Sequence, residues 1–169
     1  RQPVPAAGMA TDRPGDSSPG ASAAATPQER AALGVLNAIN DHEIAAGKQA
    51  LAKGVKADIA TYAQMMVDQH GENRTQTSAL GADAGGADAR AQQQKGQAEL
   101  AKLDALSGDA YAKAYVDAMV KGHTEALTAL DGALIPAATT QSVRDHLATT
   151  RGHVAEHLAR AEALAKPAR

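Results

Sequence analysis

Between Thr26 and Ala165 the apolar side chains of this chain return at steps of three and four in four long stretches, the period of an α-helix that buries one face. The first stretch carries Leu33, Leu36, Asn40, Ile44, Gly47 and Leu51 on that face, and the second Val55, Ile59, Tyr62, Met66, His70, Asn73, Thr77 and Leu80. Tyr111, Tyr115, Met119, His123, Leu127, Leu130 and Leu134 mark the third, and Val143, Leu147, Thr150, Val154, Leu158 and Ala161 the fourth. Phe and Trp are absent and Tyr occurs only three times, so the residues that favour strands are scarce, while Ala and Leu favour helix. The expected fold class is all-α.

Helix boundaries follow from capping residues. Thr26-Pro27 with Glu29 reads as an N-cap, a proline at the first helical position and an acid in the first turn. Gly54 reads as a C-cap between helices 1 and 2, and the run Gly81 to Gly86 ends helix 2. A shorter helix is expected at about 88–106, ended by Ser107-Gly108-Asp109. Helix 3 should run from about 109 to 135 and stop at Pro136, and helix 4 from near Thr140 to about Ala165. Residues 1–26, with Pro3, Pro5, Pro14 and Pro19 among Gly, Ser and Ala, read as a disordered tether, and 27–166 as the folded domain. Short links join helices 1 to 2 and 3 to 4, whereas a long, partly helical connection joins 2 to 3. That spacing favours a ferritin-like four-helix bundle with one crossover and a short extra helix in it. An up-down-up-down bundle with the short helix packed outside is the competing topology.

Several function classes are disfavoured by composition. A net charge of −2 gives no basic footprint for nucleic acid. The absence of cysteine removes disulfides and thiolate chemistry. The apolar runs are too short for a transmembrane segment. A chain that opens at Arg1 is what removal of a signal peptide leaves, and also what deliberate trimming leaves.

Chemistry concentrates in six histidines. Ile39, Val67, Val120, Val143 and Val154 stand three positions before His42, His70, His123, His146 and His157, so these imidazoles border the buried side. His153 and His157 are spaced to bind one divalent ion, with further ligands from neighbouring helices. A hairpin turning near residue 138 sets His123 level with His153 and Met119 level with Glu156 and His157, which makes a His123–His153–His157 cluster geometrically possible. Met66 and Met119 would add soft sulfur and tilt the choice from zinc towards copper, and His70 and Glu43 would assist from the other helix pair. The alternative is structural: histidines bonded to Asn40, Asn73, Glu43 or Thr150 fix helix register and need no metal. No His has Glu three residues before it, which argues against di-iron carboxylate chemistry. No nucleophile with an adjacent base and no phosphate loop stands out.

Taken in order, Met66-Val67-Asp68-Gln69-His70 with Asn73 and Leu80, then Leu103, Leu106-Ser107-Gly108, Tyr111, Tyr115 and His123, then His157-Leu158 and Leu164, with Glu43 ahead of Gly47, Leu51 and Ala52, resemble a bacterial family. The family is the ferritin-like domain of unknown function 4142, whose members are often described as predicted outer membrane proteins, and the resemblance covers about residues 28–165. It implies a ferritin-like bundle, export to the periplasm or cell envelope, and no established enzymatic activity. Recurring family histidines correspond to His70, His123 and His157. The chain departs from the pattern at Ala112, where Asp is usual, and at Tyr111, where Phe is usual. The expected function is therefore a non-enzymatic binding or stress-associated envelope protein, with copper or zinc binding through the bundle histidines, or a protein-interaction role, as alternatives. Histidines buried without an acidic partner would also make stability fall as the pH drops through about 6.

Overall fold

The computed structural model describes residues 23–167. The expected tether lies outside the described residues apart from 23–26, which lead into the first helix without helical structure of their own. Every regular element among the described residues is helical: α1 (Pro27–Ala52), α2 (Ala57–Ala79), α3 (Ala87–Asp104), α4 (Gly108–Ala129) and α5 (Gln141–Ala165). None of these helices is long and apolar enough to cross a membrane.

The start of α1 is fixed by a reciprocal capping pair. Thr26 Oγ1 accepts the Glu29 amide at 3.1 Å, and Glu29 Oε1 accepts the Thr26 amide at 3.0 Å, so two of the unpaired N-terminal donors are satisfied. Glu29 is fully buried because it also reaches across the fold, accepting the amides of Thr139 and Thr140 at 3.2 and 3.0 Å and the Thr140 hydroxyl at 2.7 Å. Burial alone would raise its pKa, but the hydrogen bonds from Thr140, Thr26 and Thr139 to the charged form prevail and hold it at about 2. One carboxylate thus joins the beginning of α1 to the beginning of α5. At the far end of α1, Gly54 turns the chain at φ +72, a left-handed conformation that an L side chain rarely adopts.

Side-chain contacts give the directions of the helices. Tyr62 meets Tyr115 and His70 meets His123, the same sequence offset in both pairs, so α2 and α4 run parallel. Bonds from Asn73 to Thr150 and between Thr77 and His146 pair α2 with α5 in the opposite sense. The chain must therefore travel back along the molecule between α2 and α4. It does so through α3, which packs along α1 and also touches α4. Near the start of this return the loop crosses α1 closely: the Asp83 amide bonds Arg30 O at 2.9 Å, and a Cβ on Gly34 would sit 1.8 Å from Asp83 O. The result is asymmetric. One side of the four long helices, over α1 and α4, is covered by α3, whereas among the described residues the seam between α2 and α5 has no such cover.

The third long helix departs from expectation. It does not stop at Pro136 but passes from α4 into a π turn, Leu130–Leu134, and a final helical turn, Ile135–Ala137. Proline lacks an N–H and its ring crowds the carbonyl four residues earlier, here Gly132, so widening the preceding turn relieves a conflict that would break a regular α-helix. The helical winding ends at Ala137, one residue past Pro136, and the chain reverses through residues 138–140. α4 and α5 consequently meet about one helical turn away from the register that a reversal at 138 predicts: Asp131 pairs with Arg151, and His123 faces His157 rather than His153.

The core is divided. One apolar cluster, containing Leu33, Leu36, Leu130, Leu134 and Leu147, fills the end near Thr140. A second, containing Tyr62, Met66, Tyr111, Tyr115 and Met119, fills the other. Between them lies a buried polar layer that includes Asn40, His70, Asn73, His123, Thr150 and His157.

Candidate metal centre

Three helices each bring one imidazole into the polar layer. His70 from α2, His123 from α4 and His157 from α5 are 4%, 1% and 2% exposed, close to sealed from solvent. Their ring centroids form a triangle with sides of 5.7, 5.1 and 5.5 Å. One ring nitrogen from each lies within 4.8 Å of the other two. Among the described residues no other set of three His, Asp or Glu side chains converges in this way.

Hydrogen bonding assigns the tautomer of each ring. His70 Nδ1 faces Asn40 Oδ1 at 2.9 Å, and Asn40 is oriented by its own amide, which donates to Asn73 Oδ1 at 2.8 Å. An amide oxygen only accepts, so His70 Nδ1 carries the proton. His123 Nδ1 donates to the Met119 carbonyl at 2.7 Å by the same reasoning, and His157 Nε2 donates to Gln69 Oε1 at 2.6 Å. The remaining nitrogens, His70 Nε2, His123 Nε2 and His157 Nδ1, are buried and have no hydrogen-bond partner among the described residues. Each therefore presents a lone pair. Fixing one ring nitrogen with an oxygen acceptor so that the other is free and correctly aimed is how proteins prepare histidine for a metal.

The electrostatics favour neutral rings at His70 and His157. Burial, followed by the proximity of His123 and His157, pushes the His70 pKa well below its ordinary value. Burial, with His123, His153 and Arg160 nearby, lowers His157 to about 3. Deprotonated imidazole is the form that binds metal.

The other candidate residues sit around this triad. His153 is exposed and does not join the convergent set; it lines the outer part of a small crevice that reaches His70 and His157. Met66 and Met119 are fully buried one turn before His70 and His123, in the apolar cluster with Tyr62 and Tyr115. Glu43 is 3% exposed, its Oε2 has no partner, and its other oxygen lies against Gly122, next to His123 in sequence. Burial, and after it the Glu43 charge, raises the pKa values of Tyr62 and Tyr115. His42 approaches Glu99 at 3.4 Å, and His146 bonds Thr77 at 2.8 Å, both away from the triad. Sequence reasoning missed Gln69 as the anchor of His157; its place directly before His70 was the available signal. Hairpin register selected His153, whereas the family resemblance selected His70, His123 and His157.

Fold and site together define a class, an all-helical protein with a buried trihistidine cluster. The chain belongs to the family described as Domain of unknown function (DUF4142), whose profile matches residues 15–164. No curated protein and no solved structure matches it.

Proposed function

We propose that this chain is a metal-binding protein in which a ferritin-like four-helix bundle holds one divalent transition-metal ion through His70, His123 and His157. The parallel course of α2 and α4 and the return path of α3 support the bundle topology. The observation that carries the binding reading is the set of three buried, unpartnered nitrogens on rings whose other nitrogens are all bonded. Register-fixing hydrogen bonds account for one nitrogen per ring. They leave three desolvated lone pairs on rings that converge, an arrangement that costs free energy unless something electropositive fills it.

Imidazole donors suit zinc and copper, and the Irving–Williams order places copper(II) ahead in affinity. Tetrahedral zinc with nitrogens at 2.0–2.1 Å sets them about 3.4 Å apart, so the rings would draw together slightly on binding. Three protein ligands leave one coordination position, and the buried Glu43 carboxylate supplies a negative charge from α1. The crevice that reaches His70 and His157 has ≈ 10 Å³ of free volume, about one water, which favours binding over turnover of an organic substrate. The periplasm or cell envelope, the location that the family resemblance implies, forms part of this proposal.

Native mass spectrometry with added copper(II) and zinc(II) tests the reading. One ion per chain is expected, and its loss in a His123→Ala/His157→Ala double variant that keeps its helical circular dichroism. Failure of the parent protein to bind either metal at micromolar concentration would overturn it.

A further inference from the structure

The buried triad raises the question of how an ion arrives. The rings are nearly inaccessible, and each interhelical seam near them can be compared. α3 lies over the α1 and α4 side, and the α1–α2 and α4–α5 pairs are the most extensively packed of the long-helix pairs. Contact between α2 and α5 is sparser, and among the described residues no helix covers it. The crevice described above opens in that seam. Its lining includes the two triad rings His70 and His157, Gln69 and, on α5 one turn before His157, the exposed His153. The unpartnered His70 Nε2 and His157 Nδ1 belong to rings that line it. Gln69, half-buried, lines it too and is bonded to His157 Nε2.

We infer that the seam between α2 and α5 is the ion's entry route and that His153 is its transient capture ligand, handing a divalent ion inward to His157 and His70. This inference rests on the metal-binding reading above. The crevice holds roughly one water, so a hydrated ion cannot pass intact and must exchange water for protein donors stepwise. An exposed imidazole one helical turn from a resident ligand supplies the first donor. His70 and His157 receive the ion through the nitrogens that their bonds to Asn40 and Gln69 leave free, and the handover displaces water. The ion ends on the triad alone, and His153 is free again.

A capture ligand has a kinetic signature that a structural residue lacks. It lowers the barrier without altering either end state, so uptake and release must change by the same factor while the equilibrium constant stays fixed. Stopped-flow mixing of the metal-free protein with zinc(II), and extraction of the loaded protein by a chromogenic chelator, read the two rates. His153→Ala is expected to slow both by at least about tenfold, because it removes the high local concentration of ion at the crevice mouth. Stoichiometry should remain one ion per chain. His146→Ala, on the same helix but bonded to Thr77 away from the crevice, should leave both rates within about twofold of the parent. Unchanged rates in His153→Ala, or loss of stoichiometric binding in that variant, would overturn the entry route while leaving the triad intact. Absence of zinc uptake by the parent protein would instead overturn the triad reading, and the route with it.

Discussion

Asn40 on α1 and His70 on α2 are joined by a single buried hydrogen bond of 2.9 Å that decides which nitrogen of the histidine is left to bind. The amide of Asn40 donates to the buried Asn73, whose own amide donates to Thr150 at 2.7 Å. A chain of three side chains from α1, α2 and α5 therefore sets the protonation pattern of a ring that none of them would coordinate with. Positioning of this kind is inexpensive in sequence and exacting in geometry.

Asn40→Ala should therefore weaken the site without removing a ligand. Metal affinity is expected to fall about 10- to 100-fold, the usual effect of losing the group that orients a histidine. Stability of the metal-free protein should drop by about 1–3 kcal/mol, because buried groups on His70 and Asn73 lose their partner. Chelator competition and urea unfolding measure the two effects. An affinity equal to that of the parent would show that the Asn40 bond does not govern the ring.

Acid should destabilise the metal-free protein earlier than its carboxylates would predict. Folded His157 titrates at about 3 and His70 well below its ordinary 6.5, both chiefly through burial. The unfolded chain therefore takes up protons that the folded chain refuses. Their contribution is fully present above about pH 6.5 and is lost progressively below it, at up to about 1.4 kcal/mol per pH unit for each ring. Urea midpoints compared at pH 7.5, 5.5 and 4.5 should decline steadily, and His157→Ala should flatten the slope. A level profile across that range would contradict burial of the rings.

Glu29 adds a separate acid transition. Its pKa of about 2 lies below the ordinary 4.5, so its contribution is present above pH 4.5 and fades as the pH falls towards 2. Glu29→Ala strands the amides of Thr26, Thr139 and Thr140 and is expected to cost about 2–4 kcal/mol at neutral pH. Glu29→Gln should cost less there and should lose the transition below pH 4.5. Retention of that transition in Glu29→Gln would assign it to another carboxylate.

Much of this architecture was readable in the sequence. The four periodic stretches and the Thr26-Pro27-Glu29 cap specify α1, α2, α4 and α5 because helical period and capping are local properties of the chain. The long connection between helices 2 and 3 likewise indicated that the chain must travel back. Faces were less legible. Leu51 belongs to the expected buried stripe of α1 yet is 36% exposed, while Ala46, Ala50 and Glu43 occupy the interior. In a chain so rich in alanine the contrast between inner and outer faces is weak, and small residues allow close packing that a pattern of leucines does not reveal. The His123–His157 pairing was hidden for another reason. It depends on how the helix winds through Leu130–Leu134 before the reversal, and no local signal announces the π turn.

Gly34→Ala provides a test of the fold that is independent of any metal. The new methyl group would fall 1.8 Å from Asp83 O, so the loop that carries the chain from α2 towards α3 must move away from α1. A loss of about 1–3 kcal/mol is expected, as for overpacking elsewhere, with the Asp83 amide made exchangeable as its bond to Arg30 O is broken. Hydrogen exchange at Asp83 and a thermal melt read the outcome, and parent-like values for both would show that the loop does not cross there.

The widened turn at Leu130–Leu134 makes the distance along the chain between His123 and His157 a determinant of chemistry. Each residue of an α-helix advances the next by about 1.5 Å and 100°. Winding the same residues as plain α-helix, with none removed, would advance everything after Leu134 by about one residue, carry α5 out of phase with α4 and rotate His157 away from its partners. The five residues from Leu130 to Leu134 touch no ion and bear no ligand, yet they act as the spacer that keeps two histidines from opposite arms of a hairpin in step.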